Sequence, residues 1–294
     1  MTTADPGAAV AGADGAGAAA TDAGEKEAAV VVEDLYGDPD AVTYTWERVN
    51  TYHRVEGYVL RALFDRWLPP APARVADIGA GNGRWALELA ARGYRVALAD
   101  LAEALVADAA ARSTGAGLPP AAVRADARRL PWRDDTADAA LVLGPLYHLF
   151  RLEDRALAIR EAARVVRPGG PVMVQSLHRA GALRQVLTIF GHAPGPIDWR
   201  WFWSHGTFAE PKAHPFYAGT YWHTPAELAA EVTGAGLTLH ALHGLDGPAP
   251  EGQSVLADAP DWAVEQWGEV ALALGTDPDL LATSNHLLAV ATVP

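Results

Sequence analysis

The amino-acid sequence predicts an α/β fold built on one open, doubly wound, mostly parallel sheet. Three observations lead to this prediction. Apolar runs suited to buried strands alternate with amphipathic segments from residue 71 to 294, a glycine-rich turn follows the first run, and the chain is long enough to bury a full core. Its 294 residues are 50% hydrophobic, which suits one large domain or one domain with a cap. We expect seven strands.

The N-terminal part of the chain changes character near residue 34. Residues 1–33 are rich in alanine and glycine, without a positive start or a continuous apolar core. This composition predicts a disordered tail, neither a secretory signal nor a membrane span, and by default a cytoplasmic protein. From 34 to 70, aromatic and branched residues recur at helical spacings, which predicts a helical cover before the main domain at 71–294. Arg54 and Glu56 are its candidate polar contacts, Arg54 either to the carboxylate of a cofactor or in a surface ion pair.

A glycine-rich turn follows the first predicted strand of the main domain. The run 75–78 is apolar apart from Asp77, and glycines occupy alternate positions from Gly79 to Gly83. A strand, a glycine turn and a helix start hold the adenosine part of a cofactor, in nicotinamide sites and in S-adenosylmethionine sites alike. The dinucleotide fingerprint requires a third glycine, for close packing, where Arg84 stands. Because Asp77 would attract an ammonium group and repel a pyrophosphate, the turn favours S-adenosylmethionine.

This segment resembles the first motif of the class I S-adenosylmethionine-dependent methyltransferases, (V/L)-x-D-x-G-x-G-x-G. The match holds at every defining position from Val75 to Gly83. The resemblance implies a Rossmann-like fold, S-adenosyl-L-methionine as the cofactor, and methyl transfer to an O, N or C nucleophile. Later segments resemble bacterial small-molecule methyltransferases, which implies a small acceptor and a role in secondary metabolism.

Two further aspartates follow predicted strands. Asp100 ends the run 94–100, where its carboxylate can accept from both ribose hydroxyls, or can cap a helix that starts at Leu101. The position after the glycine turn favours the ribose role. Asp126 lies in a segment that resembles the end of the third strand in this family. The resemblance implies that Asp126 accepts from the adenine amino group and that the Ala127 amide faces the ring, whereas a turn aspartate paired with Arg128 or Arg129 is the alternative.

A fourth predicted strand at 137–143 leads into the hexapeptide 144–149, which resembles the motif after this strand in a large bacterial methyltransferase subfamily. The resemblance implies that Gly144 and Leu146 border the methionine part of the cofactor and that Tyr147 and His148 lie near its methyl group. A histidine there could act as a general base, an effect of about a hundred- to ten-thousandfold. Packing on a helix, with a hydrogen bond to backbone, is the alternative for His148. The predicted cofactor-binding residues are Asp77, Gly79, Ala80, Gly81, Gly83, Asp100, Leu101, Asp126, Ala127, Gly144 and Leu146.

The remaining elements follow the same alternation. The amphipathic helix at 160–167 stops at a proline and two glycines, and a strand at 171–177 follows. Thr224 and Glu227 form a predicted capping box around a helix that begins at Pro225. The runs 237–242 and 286–293 are the last two predicted strands.

The segment 178–222 is too aromatic and too often interrupted by glycine and proline to be only a connector, because insertions of this length usually have a function. We interpret it as an inserted cap over the acceptor, while a satellite cluster or a homodimer contact is the alternative. Its aromatic residues suit a flat or hydrophobic acceptor. His178 and His205 are further candidate bases behind His148. The predicted substrate-binding residues are Tyr147, Trp199, Trp203 and Tyr221.

Charge and residue usage narrow the function. The net charge of −13 and the lack of a basic stripe argue against nucleic-acid binding. The chain has no cysteine, and no histidine motif with metal spacing accompanies its ten histidines, so no metal is predicted. A protein or RNA methyltransferase and a non-catalytic S-adenosylmethionine-binding module remain the alternatives to a small-molecule methyltransferase.

Overall fold

A computed structural model describes most of the chain. The described residues are 36–48, 51, 53–118, 122–189, 198–207, 220–248 and 254–294. The predicted tail at 1–33 lies outside them, as do the parts 190–197 and 208–219 of the predicted cap.

Helices and strands alternate through the described residues. The helices are α1 (Pro39–Glu47), α2 (Arg54–Trp67), α3 (Arg84–Ala91), α4 (Glu103–Gly115), α5 (Leu152–Val165), α6 (Arg179–Ile189), α7 (Trp199–His205), α8 (Pro225–Gly234), α9 (Ser254–Ala257) and α10 (Asp261–Leu274). The strands are β1 (Arg74–Ile78), β2 (Arg95–Asp100), β3 (Ala122–Arg124), β4 (Ala139–Val142), β5 (Pro171–His178), β6 (Trp222–His223), β7 (Thr238–Gly244) and β8 (His286–Thr292). Within the described part of the chain, no helix combines the length and apolar composition that a membrane crossing requires.

The strands form one sheet in the order β3-β2-β1-β4-β5-β8-β7. Strands β1 to β5 run parallel, and β8 is antiparallel to both β5 and β7. The predicted doubly wound, mostly parallel fold with seven strands is therefore confirmed. The additional strand β6 has two residues and pairs with the end of β5, which makes eight strands in all. A pair this short carries no detectable alternation in the sequence.

Both faces of the sheet are covered by apolar helix faces. Val142 and Val174 point to one cluster, which includes Ile159 of α5 and Leu228 of α8. Their neighbours along the strands, among them Met173, belong to the cluster on the opposite face, with α2 and α10. This alternation with a period of two residues places β4 and β5 between two apolar layers, as expected for a parallel sheet.

The topology gathers the polar ends of the strands at one edge. Strands β1, β2, β4 and β5 all end there, and because β8 is antiparallel its first residue, His286, lies opposite Leu177 near the end of β5. Ligands bind at this edge in open α/β sheets. Helix α1 lies against the glycine-rich turn, where the Asn82 side-chain amide donates to the Val42 carbonyl at 3.0 Å. The division of the chain into tail, cover and main domain stays a prediction.

Candidate active site

The glycine turn is a tight backbone cradle. Gly79, Gly81 and Gly83 have φ values of +66°, +57° and +75°, which only glycine adopts without strain. A Cβ on Gly79 would lie 2.4 Å from Cδ of Pro145, and a Cβ on Gly144 would lie 2.5 Å from the Gly79 carbonyl oxygen. The turn after β1 and the turn after β4 therefore meet backbone to backbone, as the predicted cofactor site requires.

Asp77 lies behind this cradle as a buried carboxylate. It is 1% exposed, and neither of its oxygens has a hydrogen-bond partner among the described residues. Burial and the charge of Asp100 raise the pKa of Asp77 to about 7, and the nearby backbone amide of Ala86, which does not reach hydrogen-bond geometry, offsets only part of the shift. A buried carboxylate without a partner is costly, so the position suits a ligand that brings an ammonium group.

Asp100 connects the cradle to the next helix. One carboxylate oxygen accepts from the Gly81 amide at 2.7 Å and the other from the Ala102 amide at 2.9 Å. Burial raises the pKa of Asp100, and these amides lower it only in part. The alternative of a helix cap at Asp100 is wrong, because α4 begins at Glu103 and its N-cap is Ala102. Each carboxylate oxygen keeps a second lone pair that could accept from a ribose hydroxyl. The ribose role of Asp100, and the position of Leu101 beside it, stay predictions.

Asp126 has a partner within the protein. Its carboxylate accepts from Arg128 Nη2 at 2.7 Å and from Arg128 Nε at 3.0 Å, and Arg128 also contacts Asp154 at 3.1 Å. Burial raises the pKa of Asp126, but the hydrogen bonds and charge of Arg128 outweigh it and lower the pKa overall. The ion pair given above as the alternative is thus present. The adenine-binding role of Asp126 and Ala127 remains a prediction that has to accommodate Arg128.

The turn at 146–148 presents the first candidate base. Leu146 is fully buried, while the Tyr147 and His148 rings meet edge to face with centroids 4.5 Å apart. Nε2 of His148 lies 3.0 Å from the hydroxyl of Tyr36, just before α1. Burial raises the pKa of Tyr36 well above its ordinary value, so the phenol stays protonated and can donate to the imidazole. No sequence pattern marks Tyr36, because it is a single tyrosine outside any motif.

The other two candidate bases lie in different surroundings. His178 is buried at the end of β5, and its Nδ1 donates to the Ser284 carbonyl at 2.8 Å. Burial lowers the pKa of His178, so its ring is neutral. His205 is exposed on α7, stacked on Trp201 with ring centroids 3.7 Å apart. His148 alone of the three belongs to the turn that packs on the glycine cradle.

The predicted substrate-binding residues divide into two sets. Trp199 and Trp203 are 51% and 46% exposed on α7. Tyr221, by contrast, is buried beneath the Arg155 guanidinium, whose Cζ lies 3.6 Å from the ring centroid. The Tyr221 amide donates to the Tyr147 carbonyl at 2.7 Å, which links the cap directly to the active-site turn. The role of these four residues toward an acceptor stays a prediction.

A buried polar network that the sequence did not predict supports Tyr221. Arg155 Nη2 lies 2.7 Å from the Glu231 carboxylate, and Glu231 also contacts Nε2 of His223 at 3.2 Å. Nδ1 of His223 makes a short contact with the Ser176 hydroxyl on β5. Because this network joins β5, β6, α5 and α8, it fixes the position of the cap where it meets the sheet.

The two polar candidates of the helical cover have different partners. Arg54 donates to the Ala259 carbonyl at 2.6 Å and to Asp261 at 2.6 Å, so the ion-pair alternative describes it. Glu56 is fully buried and accepts from Arg48 and from Gln175. Although burial raises the pKa of Glu56, Arg48 lowers it overall, so this carboxylate is ionised.

Comparison with known proteins agrees with this geometry. Residues 75–170 match a family model described as a methyltransferase domain. The chain is 36% identical over 154 residues to an uncharacterized methyltransferase of Mycobacterium tuberculosis, covering 51% of this chain and 59% of that protein. It is 35% identical over 149 residues to a demethylmenaquinone methyltransferase of Mycolicibacterium vanbaalenii, covering 48% and 61%.

The chain therefore spans about six tenths of the length of the curated relatives it matches. The fold resembles the crystal structure of a S-adenosylmethionine-dependent methyltransferase from Thermotoga maritima, with a TM-score of 0.55, 18% identity, and coverage of 86% of this chain and 95% of that chain. The matched domain, the strand order and the glycine cradle with its buried aspartate agree with one another. Residues 75–170 are thus similar to a methyltransferase domain, and the chain has the fold of that S-adenosylmethionine-dependent methyltransferase.

Proposed function

We propose that this protein transfers a methyl group from S-adenosylmethionine to an O, N or C nucleophile of a small molecule. The observation that carries the proposal is the Asp77 carboxylate, which is buried without a hydrogen-bond partner among the described residues, behind two turns so closely packed that a Cβ at Gly79 or Gly144 would collide. The methionine part of this cofactor brings the ammonium group that Asp77 lacks.

The other cofactor contacts follow from the ends of the strands. Asp100 would accept from the ribose, and Asp126 with the amide of Ala127 would hold the adenine, while Gly144 and Leu146 would border the methionine chain. When bound, the cofactor supplies an electrophilic methyl group. The residues of the protein then have to align the acceptor and exclude water from the site.

His148 is the proposed general base for an acceptor that must lose a proton. A neutral imidazole whose Nε2 accepts from the Tyr36 hydroxyl carries its own proton on Nδ1. For Nε2 to take the acceptor proton, the acceptor hydroxyl or ammonium group has to replace Tyr36 at that nitrogen. Tyr36 would then act as a positioning residue that holds the ring orientation until the acceptor arrives. His178 is a weaker candidate, because its Nδ1 is committed to the Ser284 carbonyl.

The proposed acceptor is aromatic or hydrophobic. The aromatic residues of the cap support this, and so does the named substrate of one relative, demethylmenaquinone. The described tryptophans of α7 are partly exposed, so we expect them to cover the acceptor only after it has bound. A role in secondary metabolism and a homodimer belong to the same proposal.

Isothermal titration with S-adenosylmethionine, NAD and NADP tests the cofactor. We expect binding of S-adenosylmethionine alone, and the proposal fails if this compound does not bind. Incubation with a methyl-labelled cofactor and a cell extract tests the reaction. Labelled small molecules support the proposal, whereas labelled protein or RNA would show that the acceptor is a macromolecule. No labelled product across diverse extracts would favour a non-catalytic binding module.

Variants of the base make the test specific. We expect His148→Asn to lower kcat by about a hundredfold or more with little change in cofactor affinity. Tyr36→Phe should lower kcat less than His148→Asn does. It should also shift the pH profile of kcat, because the imidazole loses the hydrogen bond from the phenol. His240→Asn is the matched control, since His240 is exposed on β7 and bonds only Thr292 among the described residues. Equal activity of His148→Asn and the control would remove the base from the mechanism.

A further inference from the structure

Four ligating side chains from three distant chain segments meet at the edge of the sheet where β5 ends. One nitrogen or carboxylate oxygen of each lies within 4.8 Å of the corresponding atoms of the other three. His53 and Glu56 come from the start of α2, Asp246 follows β7, and His286 opens β8. We call these four residues the His/carboxylate cluster; they are His53, Glu56, Asp246 and His286.

Outer hydrogen bonds orient both carboxylates. Oδ2 of Asp246 accepts from the backbone amides of Asn285 and His286 at 2.9 and 2.8 Å, and also from the Ser284 hydroxyl at 3.1 Å. Oε1 of Glu56 accepts from Gln175 Nε2 at 2.8 Å. Ligating carboxylates in metal sites are held by outer contacts of this kind.

The hydrogen bonds leave the cluster short of positive charge. Arg48 Nη2 donates to Glu56 Oε2 at 2.8 Å and to His286 Nε2 at 3.0 Å. Because a guanidinium only donates, His286 Nε2 accepts, so the ring proton lies on Nδ1, which is 3.1 Å from Asp246 Oδ2. The two carboxylates therefore share one guanidinium, and although burial lowers the pKa of His286, both carboxylates raise it overall. Carboxylates held this close in a buried site favour an added positive charge, from a proton or from a metal ion.

His53 lacks a partner at one ring nitrogen. Its Nδ1 is buried and forms no hydrogen bond with the described residues. The atom lies 3.4 Å from Glu56 Oε2, in a position that does not satisfy either group. With the ring proton on Nε2, Nδ1 and the carboxylate oxygen could both ligate one cation.

We propose that the His/carboxylate cluster binds one divalent d-block metal ion of the zinc, cobalt or manganese type. Two imidazole nitrogens and two carboxylate oxygens form a mixed donor set that these ions accept, whereas magnesium and calcium prefer oxygen ligands alone. The ion would satisfy Nδ1 of His53, replace the proton on Nδ1 of His286, and join α2 to β7 and β8. The sequence predicted no metal, because the four ligands share no local spacing.

Arg48 is the competitor for this position. Its guanidinium supplies the only cation that the described contacts bring to the cluster, and its side chain is 26% exposed, so it can turn towards solvent. With the ion bound and Arg48 turned away, two carboxylates balance two positive charges. Removing the arginine should therefore tighten metal binding, an effect opposite to that of removing any ligand.

The test is metal binding by the full chain after treatment with a chelator, and it does not depend on methyl transfer. We expect one equivalent of Co²⁺ to bind with visible d–d absorption and to be displaced by Zn²⁺. His286→Gln and His53→Asn should each weaken binding by about a hundredfold or more, because loss of an outer contact alone costs 10–100-fold. His240→Asn, a histidine outside the cluster, should bind as the native protein does.

Arg48→Gln distinguishes the metal site from a purely structural ion network. We expect it to bind Co²⁺ about tenfold more tightly, because a positive charge near the ion is removed. If the histidine variants do not fold, which far-UV circular dichroism would reveal, the Arg48→Gln variant still tests the proposal. Absence of a cobalt spectrum in the native protein, equal affinity in His286→Gln, or weaker binding in Arg48→Gln would each overturn the proposal.

Discussion

Replacing Asp77 by asparagine is expected to stabilise the ligand-free protein at neutral pH and to weaken cofactor binding. The pKa of Asp77 rises from 3.8 to about 7 because the carboxyl is buried, close to the charge of Asp100. A shift of about three pH units corresponds to about 4 kcal/mol, which is the most that the asparagine could recover. Most substitutions of buried residues destabilise, so the sign alone makes this variant informative.

The pH dependence has a defined direction. The folded-state pKa of Asp77 is raised, so the stability associated with its neutral form is fully present below about pH 4 and is lost as the pH rises through about 7. Asparagine cannot ionise, so it escapes this loss. The free energy of unfolding of Asp77→Asn should therefore match that of the native protein near pH 4 and exceed it by up to about 4 kcal/mol at about pH 8.

Urea denaturation followed by circular dichroism, at about pH 4.5 and about pH 8, measures both effects. Asp258→Asn is the matched control, because Asp258 is exposed and its removal should leave the difference between the two pH values unchanged. Titration with S-adenosylmethionine should show that Asp77→Asn binds more weakly although it is more stable. A less stable Asp77→Asn protein at about pH 8, or cofactor affinity equal to that of the native protein, would refute the reasoning.

Three further outcomes follow from the described contacts. Asp100→Ala removes the acceptor of two backbone amides, so we expect S-adenosylmethionine affinity to fall by at least about a hundredfold in calorimetry; retained affinity would remove the ribose assignment. Gly79→Ala combines a positive φ with a Cβ only 2.4 Å from Pro145 Cδ and should cost about 3 kcal/mol in urea denaturation, whereas Gly117→Ala, at φ +69° with no atom within 4 Å of the added Cβ, should cost about 1 kcal/mol. Arg155→Met leaves the buried Glu231 carboxylate with only His223 as a partner and should lower the free energy of unfolding by about 3–5 kcal/mol; a loss below about 1 kcal/mol would contradict this.

The parts of the site that the sequence predicted are encoded in continuous segments. The glycine turn at 79–83 lies between a strand and a helix, and its spacing reflects a backbone conformation that only glycine permits. The capping box of Thr224 and Glu227 is equally local, and both of its hydrogen bonds are present. Because such signals need no tertiary contact, the alternation of strands and helices and the position of the glycine turn follow from them.

The parts that the sequence did not reveal depend on contacts between distant segments. His53 and His286 meet only because the start of α2 lies against the start of β8, and no periodicity in the sequence predicts that contact. The start of α4 shows the same limit at short range. Aspartate is a common helix-cap residue, but the Asp100 carboxylate accepts from the Gly81 amide, and the helix begins later, at Glu103. Tertiary contacts thus excluded the helix-cap assignment, while the ribose assignment stays a prediction.

The two cover helices differ in how firmly they are held, and this bears on how a cofactor could reach Asp77. Helix α2 buries Val59, Leu63 and several neighbours in the main core, so moving it would expose a large apolar surface. Helix α1 has no fully buried residue, and it is held by the Asn82 hydrogen bond to Val42, by Trp46 against Arg112 and by the ion pair of its C-cap Arg48 with Glu56. Contacts of these kinds contribute about 1 kcal/mol each, so lifting α1 costs less than exposing the apolar face of α2. We therefore expect α1 to open when the cofactor enters, while α2 keeps its place on the sheet.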